Sequence, residues 1–416
     1  MDNQMDMSTV KRTRTSYLWA SAAVLLVFGL MYAWSIFATP LAVGFGWDGG
    51  ALQTTFNIAL ICFCFAQLGG SYIIKAFGYK KTLILAGVLS FAGFVCSAFF
   101  ADKAIWGLYI GYGVLCGGGC GIAYITILTV VNSWFADKIG FSSGALMMGM
   151  GFGSLILGTP AAALIDVFGL QAVFYGLAVI ALVVSVALAL FIKPAPANIG
   201  EFVKPAGGAP VDESAYENDN PLATPTYYLY YGWALLIIAI GVTLIGGSRQ
   251  GAAVIGIEGT MGALIVGLVS TMNGISRLLI GALFDKAGLK AALMCSTVRN
   301  LAGAALLMFS FSTSTGITYI IAALLIGLGY GSIPVIASGY MRQRFGAKNY
   351  ARNLGLTNLS AAIASFIGIG LVAAVSPDGT SANATVWTCF TIVACVAAVF
   401  GIVFCILYKR PGQRAK

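Results

Sequence analysis

The sequence predicts an all-α membrane protein whose twelve transmembrane helices form two six-helix halves. Hydrophobic residues make up 59% of the 416 residues and charged residues only 9%, and the mean hydropathy is +0.91. Apolar runs of about 20 residues, the length that crosses a bilayer as a helix, recur along the whole chain. A polar, proline-rich and acidic segment at 193–226 separates the first six runs from the last six.

The apolar runs divide the chain into a regular series of elements. The first run follows a basic tail at 1–16, and it is too long, with too many runs after it, to be a cleaved signal peptide. We place an N-terminal bundle at 17–192, a flexible cytoplasmic linker at 193–226, a C-terminal bundle at 227–408 and a tail at 409–416. The twelve spans are 17–38, 51–74, 82–101, 105–131, 141–164, 170–192, 227–248, 260–284, 289–311, 316–340, 351–375 and 384–408.

The distribution of positive charge orients these spans. Of the 23 Lys and Arg, we assign 19 to cytoplasmic segments, two to the outside and two, Arg277 and Arg299, to the interior of spans. Positive residues accumulate on the cytoplasmic side, so both termini are expected there, in a multi-pass protein of the cell (plasma) membrane. The net charge of +9 therefore orients the protein in its lipid bilayer and does not indicate a nucleic-acid partner.

The residue types that carry most enzyme chemistry are scarce. Histidine is absent, and all nine cysteines lie within apolar spans. Without the commonest general base and metal ligand, we expect no catalytic centre, no metal site and no cofactor. The glycines of the fourth and fifth spans allow close helix packing. They do not form a nucleotide-binding loop, because no glycine-rich loop in the sequence ends in Lys followed by Ser or Thr. Direct use of ATP is therefore not expected.

Arg277 is the most informative residue of the chain. It precedes Asp285 by eight residues, which places it about 12 Å along the eighth helix from the membrane surface. An arginine at the centre of a span costs about 2.5–3.5 kcal/mol and is by default functional. The acids lie in tails, loops or span ends, so we expect an anionic ligand, held by the planar guanidinium fork. The alternative is a structural arginine held by water and backbone carbonyls.

Other polar side chains within spans can contribute to the same site. Residues four apart share a helix face, so an amide one turn before the arginine can contact the same ligand. Hydroxyls in the first, fourth and tenth spans have either this role or a packing role. The candidate contacts beside Arg277 are Asn273, Tyr32, Ser35, Tyr124 and Tyr330.

Arg299 is the second arginine within a span, about ten residues into the ninth helix. We expect it to make structural contacts with neighbouring helices, and a role in ligand binding is the alternative.

Two related segments indicate an internal repeat. GGSYIIKAFGYKK (69–81) follows the second span and GALFDKAGLK (281–290) follows the eighth. The second resembles the signature loop of the major facilitator superfamily, and in the first Lys75 stands where that family has an acid. The resemblance implies the major facilitator fold, and gating by Asp285 and Lys286, with a helix N-terminus or the bases Arg344 and Arg352 as partners of Asp285.

Four further stretches narrow the resemblance. MYAWSIFATPL (31–41), GCGIAYITILTVVNSWFADKIGFSSG (119–144), NGISR (273–277) and FGAKNYARNLG (345–355) resemble the oxalate/formate antiporter family and the related monocarboxylate porters. The resemblance implies a monomeric carrier of small carboxylate anions that works by alternating access, through anion exchange or proton-linked symport. It also implies that Arg277 is the anion site. The resembled oxalate exchangers have a lysine in helix 11 where this chain has Ala361, so a monocarboxylate is expected.

Three other functions are alternatives for a chain of this composition. An exporter of drugs or other small solutes would use Arg277 only to set the polarity of its cavity. A membrane sensor would carry an extra soluble domain, and a membrane enzyme would show His, Cys or paired acids at one membrane face. The sequence favours the carboxylate transporter over all three.

Overall fold

The computed structural model describes residues 7–196, 199–203, 220–257, 259–376 and 381–409. Within these residues every regular element is helical and no strand occurs, which confirms the predicted all-α class. The helices are α1 (Met7–Phe28), α2 (Trp34–Phe45), α3 (Gly49–Phe100), α4 (Ile105–Leu108), α5 (Gly117–Asn132), α6 (Ile139–Phe168), α7 (Leu170–Phe191), α8 (Ile199–Phe202), α9 (Pro225–Val254), α10 (Gly259–Thr313), α11 (Gly316–Phe345), α12 (Tyr350–Val375) and α13 (Ala384–Leu407).

The helix lengths account for the predicted spans. Among the described residues, nine helical segments are long and apolar enough to cross a membrane. Two of these join short helices into one span: α1 with α2, over Met7–Phe45, and α4 with α5, over Ile105–Asn132. Helix α3 has 52 residues and α10 has 55, so at 1.5 Å per residue each is about 80 Å long and must cross twice. The nine segments include α3 but not α10, so counting α3 twice and adding α10 as two further spans gives the twelve predicted spans.

Glycine breaks each of the two long helices where the repeat motif predicts a turn. Gly78 in α3 has φ 77° and ψ 163°, and Gly288 in α10 has φ 83° and ψ 178°. Only glycine adopts this backbone conformation readily, because a β-carbon would collide with the chain. The two motif copies therefore have the same local structure, although Lys75 and Asp285 differ in charge.

The chain forms two compact units. The first contains Met1–Lys138, Ala145–Pro210 and Asn349–Leu356, and the second contains Ile139–Gly144, Val211–Lys348 and Thr357–Lys416. They follow the predicted bundles except at two helix starts, because the first six residues of α6 belong to the second unit and the first residues of α12 belong to the first.

Buried aromatic residues form the core of each unit. In the first, the Tyr112 hydroxyl donates to the carbonyl of Met31 at 3.0 Å, and its ring centroid lies 4.3 Å from that of Trp34. In the second, Trp233 Nε1 donates to Thr297 Oγ1 at 2.8 Å. The buried polar atoms of Tyr112 and Trp233 therefore each have a partner, which lowers the cost of burying them in an apolar core.

The N-terminal segment and the start of the linker are more ordered than the sequence suggests. Helix α1 begins at Met7, inside the predicted tail, and Arg14 binds both carboxylate oxygens of Asp137 at 2.9 and 3.0 Å. Trp134 Nε1 donates to the carbonyl of Lys193 at 2.7 Å, and Ala195 N donates to Ser133 Oγ at 2.9 Å. The first linker residues therefore pack on the first unit, and 204–219 lie outside the described residues.

Candidate functional site

Arg277 and Asn273 lie one turn apart on α10, and both are half-buried. The rotation of this helix is fixed by its contact with α11, where the Ser276 hydroxyl donates to the carbonyl of Leu328. A β-carbon at Gly331 would overlap the main-chain oxygen of Asn273, so only glycine permits this approach. The close packing of α10 on α11 thus sets the direction of the face that carries Asn273 and Arg277.

Tyr330 lies in the same unit, next in sequence to the glycine that contacts Asn273. It is half-buried and packs on α9, where a β-carbon at Gly241 would lie 2.5 Å from Tyr330 Cβ. Tyr330 therefore lies at the same level of the second unit as Asn273, and the structure brings three of the predicted contacts, Asn273, Arg277 and Tyr330, into one unit.

The remaining predicted contacts belong to the first unit. Tyr124 on α5 is only 5% exposed, and its ring centroid lies 5.5 Å from that of Phe63. The side chains of Tyr32 and Ser35 lie outside the described residues, although their backbone forms part of a 3₁₀ turn and of α2. Their role stays a prediction.

Asp285 binds the N-terminus of α6. Its carboxylate accepts hydrogen bonds from Gly140 N at 2.8 Å and Phe141 N at 2.7 Å, directly after α6 begins at Ile139. The first amide groups of a helix have no partner within the helix, and the helix dipole places partial positive charge there. The sequence suggested either a helix N-terminus or the bases Arg344 and Arg352 as partners of Asp285. The structure shows the helix N-terminus as a partner.

Three more contacts attach the start of α6 to the second unit. Gly140 and Gly281 face each other so closely that a β-carbon on either would overlap the other's carbonyl oxygen, and one at Gly144 would overlap that of Arg277. Ser143 Oγ lies 2.6 Å from Ser338 Oγ. We call residues 139–144, with these contacts and the Asp285 carboxylate, the α6 clasp. The clasp touches the main chain of the residue that the sequence singles out as the anion site.

The basic residues predicted to take part in gating have other contacts. Lys286 is exposed, and the Arg344 guanidinium lies 5.3 Å from the ring centroid of Phe345. Arg352 belongs to the first unit, where its Nε and Nη2 donate to Asn353 Oδ1 at 3.2 and 3.1 Å. These contacts do not test a gating role, which stays a proposal.

Arg299 bonds to its own helix. Its Nε donates to the carbonyl of Cys295 at 3.2 Å, while the neighbouring Asn300 is fully buried against Gly329 of α11. This part of α10 therefore packs on α11 through small and amide side chains, and the structural role of Arg299 stays a prediction.

The sequence predicted a helix N-terminus as a partner of Asp285 but did not identify α6, and it missed the glycine and serine contacts of the clasp. The only signal for the glycine contacts was the pair Gly140 and Gly144, small residues four apart, which is the spacing of close helix contacts in membranes. Nothing in the sequence identified which helix these glycines would meet.

The fold and the repeat define the class of protein. The sequence pattern of the Major Facilitator Superfamily matches residues 19–369, so the chain belongs to this superfamily, and it is a multi-pass membrane transporter, not an enzyme.

Curated relatives and solved structures agree with this class. The chain is 27% identical to the oxalate:formate antiporter of Oxalobacter formigenes over 85% of its own length and 82% of the relative's. It is 26% identical to the human monocarboxylate transporter 11, over 82% of this chain and 72% of that one.

The fold is similar to that of the proton:xylose symporter XylE, with a TM-score of 0.73, 15% identity, and 95% and 97% of the two chains covered. A bacterial homologue of the iron transporter ferroportin gives a TM-score of 0.70 at 15% identity, with 94% and 99% covered.

The clasp can be tested through Gly140. We expect Gly140→Ala to separate the start of α6 from α10, because the new methyl group would meet the backbone of Gly281, which cannot move aside as a side chain can. Oxidative cross-linking of the Ser143→Cys, Ser338→Cys pair should then fall several-fold. Gly176→Ala, where a β-carbon meets open space, is the matched control. Equal cross-linking in the Gly140 variant and the control would contradict the clasp.

Proposed function

We propose that the protein is a secondary active transporter of small organic monocarboxylates and that Arg277 binds the carboxylate. The observation that carries this proposal is the half-buried guanidinium on a membrane-spanning helix, one turn from the amide of Asn273. The similarity to an oxalate:formate antiporter and a monocarboxylate transporter supports the same substrate class. We further propose a monomer in the plasma membrane, with both termini in the cytoplasm.

The chemistry of the Arg277 face suits a carboxylate. A guanidinium donates two parallel hydrogen bonds to the two oxygens of one carboxylate, which fixes both position and orientation. Asn273 offers a further amide donor from the same face, and the Tyr330 phenol can donate to an oxygen of the substrate. One cation and neutral donors match one negative charge.

The charge of the site favours one carboxylate over two. Ala361 of α12 stands where the resembled oxalate exchangers have a lysine, and the main-chain oxygen of Ala361 accepts from Ser365 Oγ at 2.9 Å. A second carboxylate would then be buried without a cation, which costs several kcal/mol even after partial compensation. We therefore propose a short monocarboxylate, with formate, lactate and pyruvate as candidates.

The driving force follows from the residues available for proton transfer. No acid lies at the centre of a span and histidine is absent, so transport proceeds by anion exchange or with a proton that has no dedicated carboxylate at the membrane centre. Acids nearer the two membrane surfaces remain as candidates for proton transfer. They are Asp48, whose carboxylate accepts a hydrogen bond from Ala51 N at 3.0 Å at the start of α3, and Asp166.

We propose that the α6 clasp is a latch of the transport cycle, with Asp285 as its charged member. Asp285→Asn should weaken the latch by about 0.3–1 kcal/mol, the usual energy of a charge at a helix N-terminus, and so favour the inward-open state. Labelling of single cysteines on the two membrane faces measures this shift, with exposed Lys286→Gln as control. Unchanged labelling on both faces would remove Asp285 from the latch.

The role of Arg277 has a direct test in substrate-induced thermal stabilisation. Arg277→Gln should abolish stabilisation by monocarboxylates while the protein still folds, and Arg277→Lys should restore little, because an ammonium group lacks the guanidinium fork. Arg249→Gln, at an exposed position of α9, is the control and should respond as the wild type does. Full stabilisation of Arg277→Gln would refute the assignment.

Substrate charge is tested by competition. Oxalate should compete with a labelled monocarboxylate about a hundredfold more weakly than an unlabelled monocarboxylate does, a ratio that corresponds to about 2.8 kcal/mol. Arg299→Gln should leave this ratio unchanged. Strong oxalate competition that is lost in Arg299→Gln would show instead that Arg299 supplies a second cation to the site.

A further inference from the structure

The side-chain amide of Asn273 has no hydrogen bond to any residue that the structure describes. Its Oδ1 is buried without a partner, although buried polar atoms in folded proteins nearly always have one. Asn273, Arg277 and Gly331 all belong to the second unit, so the surroundings of this amide lie within one unit. An unsatisfied buried acceptor lowers the stability of a fold, and a residue kept at that cost indicates a functional role.

The packing of α10 on α11 decides which way the amide points. A β-carbon at Gly331 of α11 would lie 2.7 Å from Asn273 Oδ1, so the amide oxygen faces α11. Asn273 as a whole is only half-buried, while its Oδ1 is buried. The polar atom of this side chain that a ligand can reach is therefore Nδ2, which donates hydrogen bonds and does not accept them.

Arg277 brings a second set of donors to the same place. Side chains of an α-helix lean toward its N-terminus, so a long side chain at position 277 extends over the turn that carries Asn273. A guanidinium has five N–H donors and no acceptor. The Arg277 face, formed by the side chains of Asn273 and Arg277, therefore presents donors to a ligand and turns its one acceptor toward α11.

We propose that the Arg277 face selects 2-oxo monocarboxylates over 2-hydroxy monocarboxylates, with Asn273 as the specificity-determining residue. The inference rests on the proposed function and deepens it. The guanidinium binds both carboxylate oxygens in its fork, which leaves Asn273 Nδ2 for the next acceptor along the substrate. In a 2-oxo acid such as pyruvate, that acceptor is the carbonyl oxygen on the neighbouring carbon.

A hydroxyl group on the same carbon fits this face less well. Its oxygen can accept a hydrogen bond from Nδ2, but its own hydrogen then needs an acceptor, and Asn273 Oδ1 faces α11. A buried donor left without a partner weakens binding, which is how a site rejects a ligand of nearly the same shape. Acetate has no polar group beyond its carboxylate, so it binds through Arg277 alone and is the reference ligand.

Replacement of Asn273 by leucine tests the proposal, because leucine has nearly the same shape and no polar side-chain atom. In the wild type, pyruvate should bind about tenfold more tightly than acetate, and lactate no more tightly than acetate. Asn273→Leu should abolish the advantage of pyruvate and leave the affinity for acetate nearly unchanged. Thermal stabilisation over a range of ligand concentrations gives the three affinities. Gln250→Leu, which removes an amide at an exposed position of α9, is the control.

The melting temperature without ligand is a second readout. Asn273→Leu removes a buried acceptor that has no partner, so the melting temperature of the ligand-free protein should rise or stay the same. A purely structural role of the amide predicts the opposite result, namely a lower melting temperature in Asn273→Leu together with an unchanged ratio of pyruvate to acetate affinity.

The outcomes separate this inference from the proposed function. If carboxylates stabilise the wild type but the ratio of pyruvate to acetate affinity is the same in Asn273→Leu, or if lactate binds the wild type as tightly as pyruvate, the role of Asn273 is overturned and the proposed function stands. If no carboxylate stabilises the wild type, both are overturned. Should Asn273→Leu fail to fold, Asn273→Ala removes the same polar atoms without added bulk and decides through the same ratio.

Discussion

The constraint on which the rest of this structure depends is the cost of a guanidinium inside an apolar bilayer. A charged side chain at that depth persists only where protein, water or a ligand replaces the solvation it lost. The second unit holds Arg277 on a helix whose rotation is fixed by glycine contact with α11. The same packing fixes the direction of the helix face that carries Arg277. A single positive charge can therefore be held in one position for an anionic ligand.

The contacts of α6 provide the structural basis on which we propose that binding at this arginine is coupled to conformational change. Gly144 rests on the carbonyl of Arg277, and Asp285, two turns further along α10, binds the amides at the start of α6. A ligand that shifts α10 by a fraction of an ångström therefore acts on the contacts of the clasp, since backbone packed on backbone has no side chain to absorb the movement. Binding and opening can be coupled through one helix, without a separate signalling element.

The predictability of each feature follows its physical origin. Helix class and the twelve spans depend on local composition and length, so hydropathy was sufficient. The internal repeat was visible in the sequence because the backbone conformation at the two helix breaks requires a glycine, at Gly78 and at Gly288. The clasp was not, because glycines at 140 and 144 show that something approaches closely but not what.

The central claim is that this chain moves small monocarboxylates across a membrane by means of one buried cation. The most direct test is uptake of a labelled monocarboxylate by proteoliposomes that contain only the purified protein and no ATP. The account predicts uptake that an outward gradient of unlabelled monocarboxylate or an inward proton gradient accelerates, and that Arg277→Gln abolishes. Folded, inserted protein that takes up no carboxylate under either gradient would contradict it.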